Sequence, residues 1–304
     1  MKRGRKSSAG DRVFNTFNGI FMILLIVVTL YPFLNTLAIA LNNATDTTKG
    51  GIYIWPREFT WFNFQSVFAG GYVYHAFFIS IARTVLSTVL NIFLTTKLAY
   101  AVSRKEYVFR KPITIVFVLT MYFNAGLIPG YFLIKNLGLI NHFSVYVIPG
   151  MISAFNLIVI RTFIKGLPDS MIEAAKIDGA GEFRIFMQVI FPLCKPVLAV
   201  IGLFVAVGAW NTWFDTFLYA SSKQNLSTLQ YELMKLLANS MNTAQTGASS
   251  MLESINKSKG SSYSVTPQSV RAAITIVAAV PILLVYPFLQ KYFVVGLNVG
   301  SVKE

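Results

Sequence analysis

One cysteine, two histidines and twelve acidic residues are all that 304 positions provide, and each shortage removes a class of chemistry. Cys194 has no intrachain disulfide partner, and with prolines at 192 and 196 it reads as a small buried apolar residue. His75 and His142 lie far apart and far from any cysteine, so no metal site is expected. Carboxylates are too sparse for the clustered acid–base groups that a membrane-embedded enzyme would need. Charged residues make up 12% of the chain, about half of the roughly 25% usual in a soluble domain. The charges that remain are mostly basic, for a net +14. They form short clusters between apolar blocks, with no contiguous, aromatic-interleaved basic face, and nucleic-acid binding is excluded.

What fills the chain instead is apolar, at 55% of residues, in blocks long enough to cross a bilayer. The first, about Asn18–Leu41, follows the basic flank Met1–Lys6. It exceeds the 7–15 residues of a signal-peptide core, so an uncleaved first span is expected. Further spans are predicted at about Tyr74–Ala99, Pro112–Ile134, Phe143–Ile164, Leu193–Tyr219 and Gln268–Gln290. The expected fold class is therefore all-α and integral to the membrane, a six-helix bundle surrounded by lipid. With the N-terminus inside, seventeen of the twenty-six lysines and arginines fall on the inner side, in segments around residues 2–12, 97–111, 161–195 and 291–303. Basic residues favour the cytoplasmic side, so both termini are placed there. The longest outer connector, Ala220–Pro267, carries Leu226, Leu229, Leu233, Leu236 and Leu237 at the spacing of a short amphipathic helix. The stretch Lys257–Ser262 beyond it reads as mobile.

The connector between spans four and five is different in kind. Pro168 and Asp169 mark a helix start, Ser170 and Glu173 have capping-box spacing, and Gly179 suits the stop of a helix about nine residues long. A second helical stretch from about Glu182 is predicted to end before Pro192. Ala174, Ala175, Gly179 and Ala180 are small enough to let another surface approach, and Glu173 and Asp178 are acidic within a basic loop. The loop is either a docking element for a cytoplasmic partner or a connector packed on its own bundle.

Glu173-Ala174-Ala175, Gly179 and Val189-Ile190-Phe191-Pro192 resemble the Glu-Ala-Ala signature of permease subunits in binding-protein-dependent ABC importers. Val189 and Phe191 replace isoleucine and leucine of that pattern conservatively. The tail Gln290–Lys303 is similar to that of the second permease of maltose-type importers. Asn124–Pro129, Tyr286–Lys291 and Leu229–Tyr231 resemble LplC-type oligo- and polysaccharide permeases.

The resemblance implies a type I importer architecture in a bacterial plasma membrane. Its parts would be a cytoplasmic tail (1–17), a first span with outer loop (18–73), a transmembrane domain (74–292) containing the coupling loop 165–192, and a second cytoplasmic tail (293–304). It implies that Glu173, Ala174, Ala175, Asp178 and Gly179 couple the bundle to an ATP-binding subunit. The implied partners are a second permease subunit, a dimer of ATP-binding subunits and an extracytoplasmic sugar-binding protein. The chain lacks a Gly-x4-Gly-Lys-Ser/Thr loop, so it is expected to bind no cofactor and to be no enzyme, with ATP and Mg used by the partner.

A sugar pathway needs uncharged hydrogen-bonding groups and aromatic faces. Asn91, Asn124, Asn156, Trp210, Asn211, Trp213 and Asp215 are the candidates. The same asparagines also read as interhelical hydrogen-bonding groups, and the tryptophans as an interfacial belt. Arg83 is an intramembrane charge, either functional or snorkelling to the outer surface. A self-sufficient secondary transporter is the alternative reading. It would bring inverted repeats and midplane ionisable groups, and neither is evident.

Overall fold

The computed structural model describes residues 9–69, 71–242 and 266–301. The stretch expected to be mobile lies outside them. Helices dominate, and the β-structure among the described residues is one isolated bridge, Asn42↔Phe59. Two compact units divide the chain, Met1–Gly70 with Leu236–Val277 and Gly71–Lys235 with Ala278–Glu304.

The first unit opens with α1 (Ala9–Ala40), which begins inside the expected N-terminal tail. None of its most apolar window is buried within the chain, as suits a surface made for lipid or another subunit. At its end a polar knot takes over. Asn42 Nδ2 donates to Asp46 and Thr47 of α2 (Ala44–Thr47), and Asn63 of α3 (Phe62–Ala69) donates to the carbonyls of Ala40 and Asn42. Hydrogen bonding from Asn42, and then from Arg57 at 3.0 Å, holds the Asp46 carboxyl below the usual carboxylate range.

The second unit is built on α4 (Tyr72–Ser103), 32 residues long, which packs against α7 (Ala154–Lys165) and α11 (Lys195–Asn211). Leu157, Ile160 and Ile164 form one face of α7. They meet Ala99, Tyr100 and Val102 of α4 and Leu198 and Ile201 of α11 in one buried cluster. Gly202 lets α4 and α11 approach closely, since a Cβ there would sit 2.8 Å from Ile92 Cδ1.

Among the described residues, three uninterrupted helices are long and apolar enough to cross a membrane: Gly10–Ala40, Tyr72–Ser103 and Pro267–Val285, the last within α14 (Pro267–Ser301). Two further stretches qualify as bent pairs, Phe143–Gly150 with Ala154–Lys165 at 45° and Glu182–Leu193 with Lys195–Asn211 at 79°. The predicted span 112–134 is divided into α5 (Arg110–Tyr122) and α6 (Leu127–Asn136). The break has a local cause, because Asn124 Oδ1 accepts from Gly126 N at 2.9 Å and Gly126 takes φ +87°.

The expectation that the second loop helix stops before Pro192 is corrected. After α9 (Glu182–Ile185) the chain passes through a π-helical turn, Phe186–Ile190, into α10 (Phe191–Leu193), and bends only at Cys194. The wider turn has Phe191 N–H donate to Phe186 O, and Pro192 then falls in the first turn of a new segment, where an N–H is not needed.

Candidate functional site

The loop after α7 folds as the sequence predicts in length and stop. Helix α8 covers Asp169–Ile177, nine residues, with Pro168 as its N-cap. The capping box does not form, because the helix begins one residue earlier than Ser170 and has no side-chain cap. At the other end Gly179 takes φ +75°, its N–H donates to Lys176 O at 3.0 Å, and Ala180 N–H donates to Ala175 O at 2.9 Å. These two bonds are the Schellman motif, and they end α8 sharply.

Only Ile172 of α8 is buried. Glu173, Ala174, Asp178 and Gly179 are exposed and Ala175 is half-buried. Ile177 is 86% exposed, an apolar side chain at the tip of a charged loop. Ile172 seats α8 in the buried cluster, and exposed ion pairs join it to the segment just after α4 and to α9. Asp169 lies 3.2 Å from Lys105 and 4.0 Å from Arg104, and Lys176 lies 3.4 Å from Glu106 and 3.3 Å from Glu182. Tyr100 Oη donates to Glu182 at 2.6 Å, tying α9 to α4 itself. Its own backbone N–H, then Arg104 and Lys176, hold the Glu106 carboxyl below the ordinary glutamate range. Glu173 and Asp178 take no part in this network among the described residues. The basic cluster Arg104-Lys105 was legible in the sequence only as an orientation signal, and its anchoring role was not.

The pathway candidates separate into two groups. One face of α4 presents Ser80, Arg83, Ser87 and Asn91 at helical spacing, and each meets a backbone group beside a break in another helix or at a helix start. Ser80 Oγ accepts at 2.8 Å from the N–H of Leu229, the first residue of α13 (Leu229–Asn242), and Arg83 Nη1 donates to Thr212 O at 2.9 Å. Ser87 Oγ donates to Tyr146 O at 3.1 Å and Asn91 Nδ2 to Gly150 O at 2.7 Å. Asn156 Nδ2 completes the set by donating to Asn91 Oδ1 at 3.1 Å. Irregular backbone within a bilayer persists where such partners satisfy it. Trp210 is buried and donates to Ala278 O at 2.9 Å. Asn124 shapes the α5–α6 turn.

The second group lies around the gap between α11 and α12 (Phe214–Tyr219). Asn211 is exposed, Trp213 is half-buried against Phe214 and Phe217, and Asp215 pairs with Arg83 at 2.5 Å. Arg83 does not snorkel, since its side chain is 4% exposed. No group of three or more His, Cys, Asp or Glu that could hold a metal occurs among the described residues.

Residues 1–299 match the model of the family described as binding-protein-dependent transport system inner membrane component. The chain belongs to that family. It is accordingly a transport component and not a hydrolase. This permease is 31% identical, over 96% of its length and 99% of the relative's, to the polygalacturonan/rhamnogalacturonan transport system permease protein YtcP of Bacillus subtilis. It is 33% identical to protein LplC of the same organism, over 98% and 97% of the two chains. A solved chain of a bacterial ABC transporter involved in the import of the acidic polysaccharide alginate matches with a TM-score of 0.85 at 26% identity, covering 95% of this permease and 99% of that chain. The breaks at 123–126, 151–153 and 212–213 thus belong to a permease whose overall architecture has an experimental counterpart.

Proposed function

We propose that this permease forms half of the translocation pathway of an ATP-driven importer of oligo- or polysaccharides and couples it to a separate ATP-binding subunit through α8. The sugar class is supported by two of those matches, one named for polygalacturonan/rhamnogalacturonan transport and one for alginate import. The observation that carries the coupling role is the Glu173–Gly179 segment. It is exposed, capped by a left-handed glycine, tipped by Ile177, and braced by ion pairs to the end of α4 that leave Glu173 and Asp178 for another surface. A load pressed on α8 passes through Lys176, Glu106 and Glu182 into α4, the helix that satisfies the breaks near Tyr146, Gly150 and Thr212.

In this reading the six spans place both termini and loop 165–192 in the cytoplasm. A second permease completes the bundle, two ATP-binding subunits using ATP and Mg dock below it, and an extracytoplasmic sugar-binding protein delivers substrate. ATP-driven closure of the two ATP-binding subunits then rocks the bundle as a rigid-body transition. Asn211, Trp213 and Asp215 are the pathway groups, offering an amide, a ring face and an acceptor. Asn91, Asn156 and Trp210 serve the pathway by holding its walls.

Reconstitution tests this directly. Proteoliposomes containing this chain with its second permease, ATP-binding subunits and binding protein should take up glycan in proportion to ATP hydrolysed. The chain alone should show neither uptake nor hydrolysis. Uptake by the chain alone, driven by an ion gradient, would establish a secondary transporter instead.

A further inference from the structure

A single guanidinium bridges the gap between α11 and α12. Arg83 donates through Nη1 to Thr212 O, where α11 has just ended, and through Nη2 to Asp215 Oδ2, in the first turn of α12. Its Cζ lies 4.8 Å from the ring centroid of Tyr146, whose hydroxyl donates to Leu226 O at 2.7 Å. Lysine could supply the charge but not the planar fork that reaches two acceptors at once. The side chains of the pair differ sharply in exposure, 4% for Arg83 and 36% for Asp215. The cation is therefore spent inside the protein, and what the pair shows to its surroundings is carboxylate.

An ionised carboxylate accepts hydrogen bonds and donates none. Sugar hydroxyls donate to it. A uronate carboxylate has no proton to offer at neutral pH, and it would meet the negative end of a pair whose positive end, Arg83, is turned inside the protein. The neighbouring groups add no cation, since Asn211 is an amide that accepts from Gln230 Nε2 at 3.3 Å, and Trp213 contributes a ring.

We propose that Asp215 is a specificity residue of the pathway that favours uncharged glycans over uronic-acid polymers, and that Arg83 is the positioning residue that fixes it across the helix gap. This rests on the reading of Asn211, Trp213 and Asp215 as pathway groups.

The test uses the assembled permease–ATPase complex in nanodiscs, with direct binding of galactan and polygalacturonan fragments of equal length. Wild type should bind the neutral fragment at least about tenfold more tightly. Asp215→Asn keeps an acceptor for Arg83 and removes the exposed charge, so the preference should shrink about tenfold. Arg83→Lys should weaken both fragments together and leave their ratio unchanged. Size-exclusion profiles verify assembly of each variant. A wild-type preference for polygalacturonan, or a ratio unmoved by Asp215→Asn, overturns the proposal while leaving sugar import intact. A wild-type complex that binds neither fragment overturns the pathway reading and this inference together.

Discussion

Glu173→Lys is expected to leave membrane insertion intact and to abolish substrate-stimulated ATP hydrolysis. The substitution sits on the open face of α8, whose attachment depends on Ile172 and on the ion pairs of Asp169 and Lys176, none of which involves Glu173. The fold therefore has little to lose. The docked state has much to lose, because disrupting one partner of a closely paired charge at an interface costs roughly 2–5 kcal/mol, so coupled turnover should fall by about a hundredfold or more. The measurement is ATP hydrolysis by the reconstituted complex with and without loaded binding protein. Full stimulation in the Glu173→Lys variant would show that α8 packs only on its own bundle.

Gly179→Val should produce the second large effect, by a different route. The position has φ +75°, and a Cβ there meets nothing within 4 Å, so the damage is conformational and not a clash. Forcing a β-branched residue into the left-handed region costs about 1–2 kcal/mol. The chain is expected to escape by unwinding the Schellman turn, releasing the bonds to Ala175 O and Lys176 O and displacing Ile177 and Asp178. Hydrogen exchange should show lost protection at position 179 and at Ala180, and coupled hydrolysis should drop at least about tenfold. Gly179→Asn, a residue that tolerates the left-handed region, should recover most of both. Equal activity in all three proteins would remove the turn from the coupling mechanism.

Much of this was legible in the sequence for a physical reason. The apolar helices Ala9–Ala40 and Tyr72–Ser103, the nine-residue α8 and its glycine stop are local properties, encoded by apolar runs and by Pro168 and Gly179. The breaks were not legible, because an interruption near Tyr146, Gly150 or Thr212, or a helix start at Leu229, is tolerable only if another helix supplies partners. Those partners, Ser80, Arg83, Ser87 and Asn91, lie between about 59 and 149 positions away in sequence. Four polar residues on an apolar helix announce that something must be satisfied and leave open what. The passage of the helix beyond Pro192 was misread because the proline rule assumes α-helical register, and the π turn at Phe186–Ile190 shifts that register by one residue. Among the site residues, those of α8 were recognisable as a motif. The division of the candidates into Asn91, Asn156 and Trp210, each bonded to another helix or its backbone, and the group at 211–215 needed the hydrogen bonds themselves.

Coupling as proposed requires force to pass from a separate ATP-binding protein into the membrane bundle through the tip of α8, and Ile177, almost fully exposed and outside the ion-pair network, is the place to interrogate it. In the assembled complex, Ile177→Cys with a scanning set of cysteines on the ATP-binding subunit should give a cross-link whose yield changes on adding ATP and Mg. The absence of any cross-link, together with labelling of the introduced thiol by an impermeant maleimide added outside sealed cells, would contradict it.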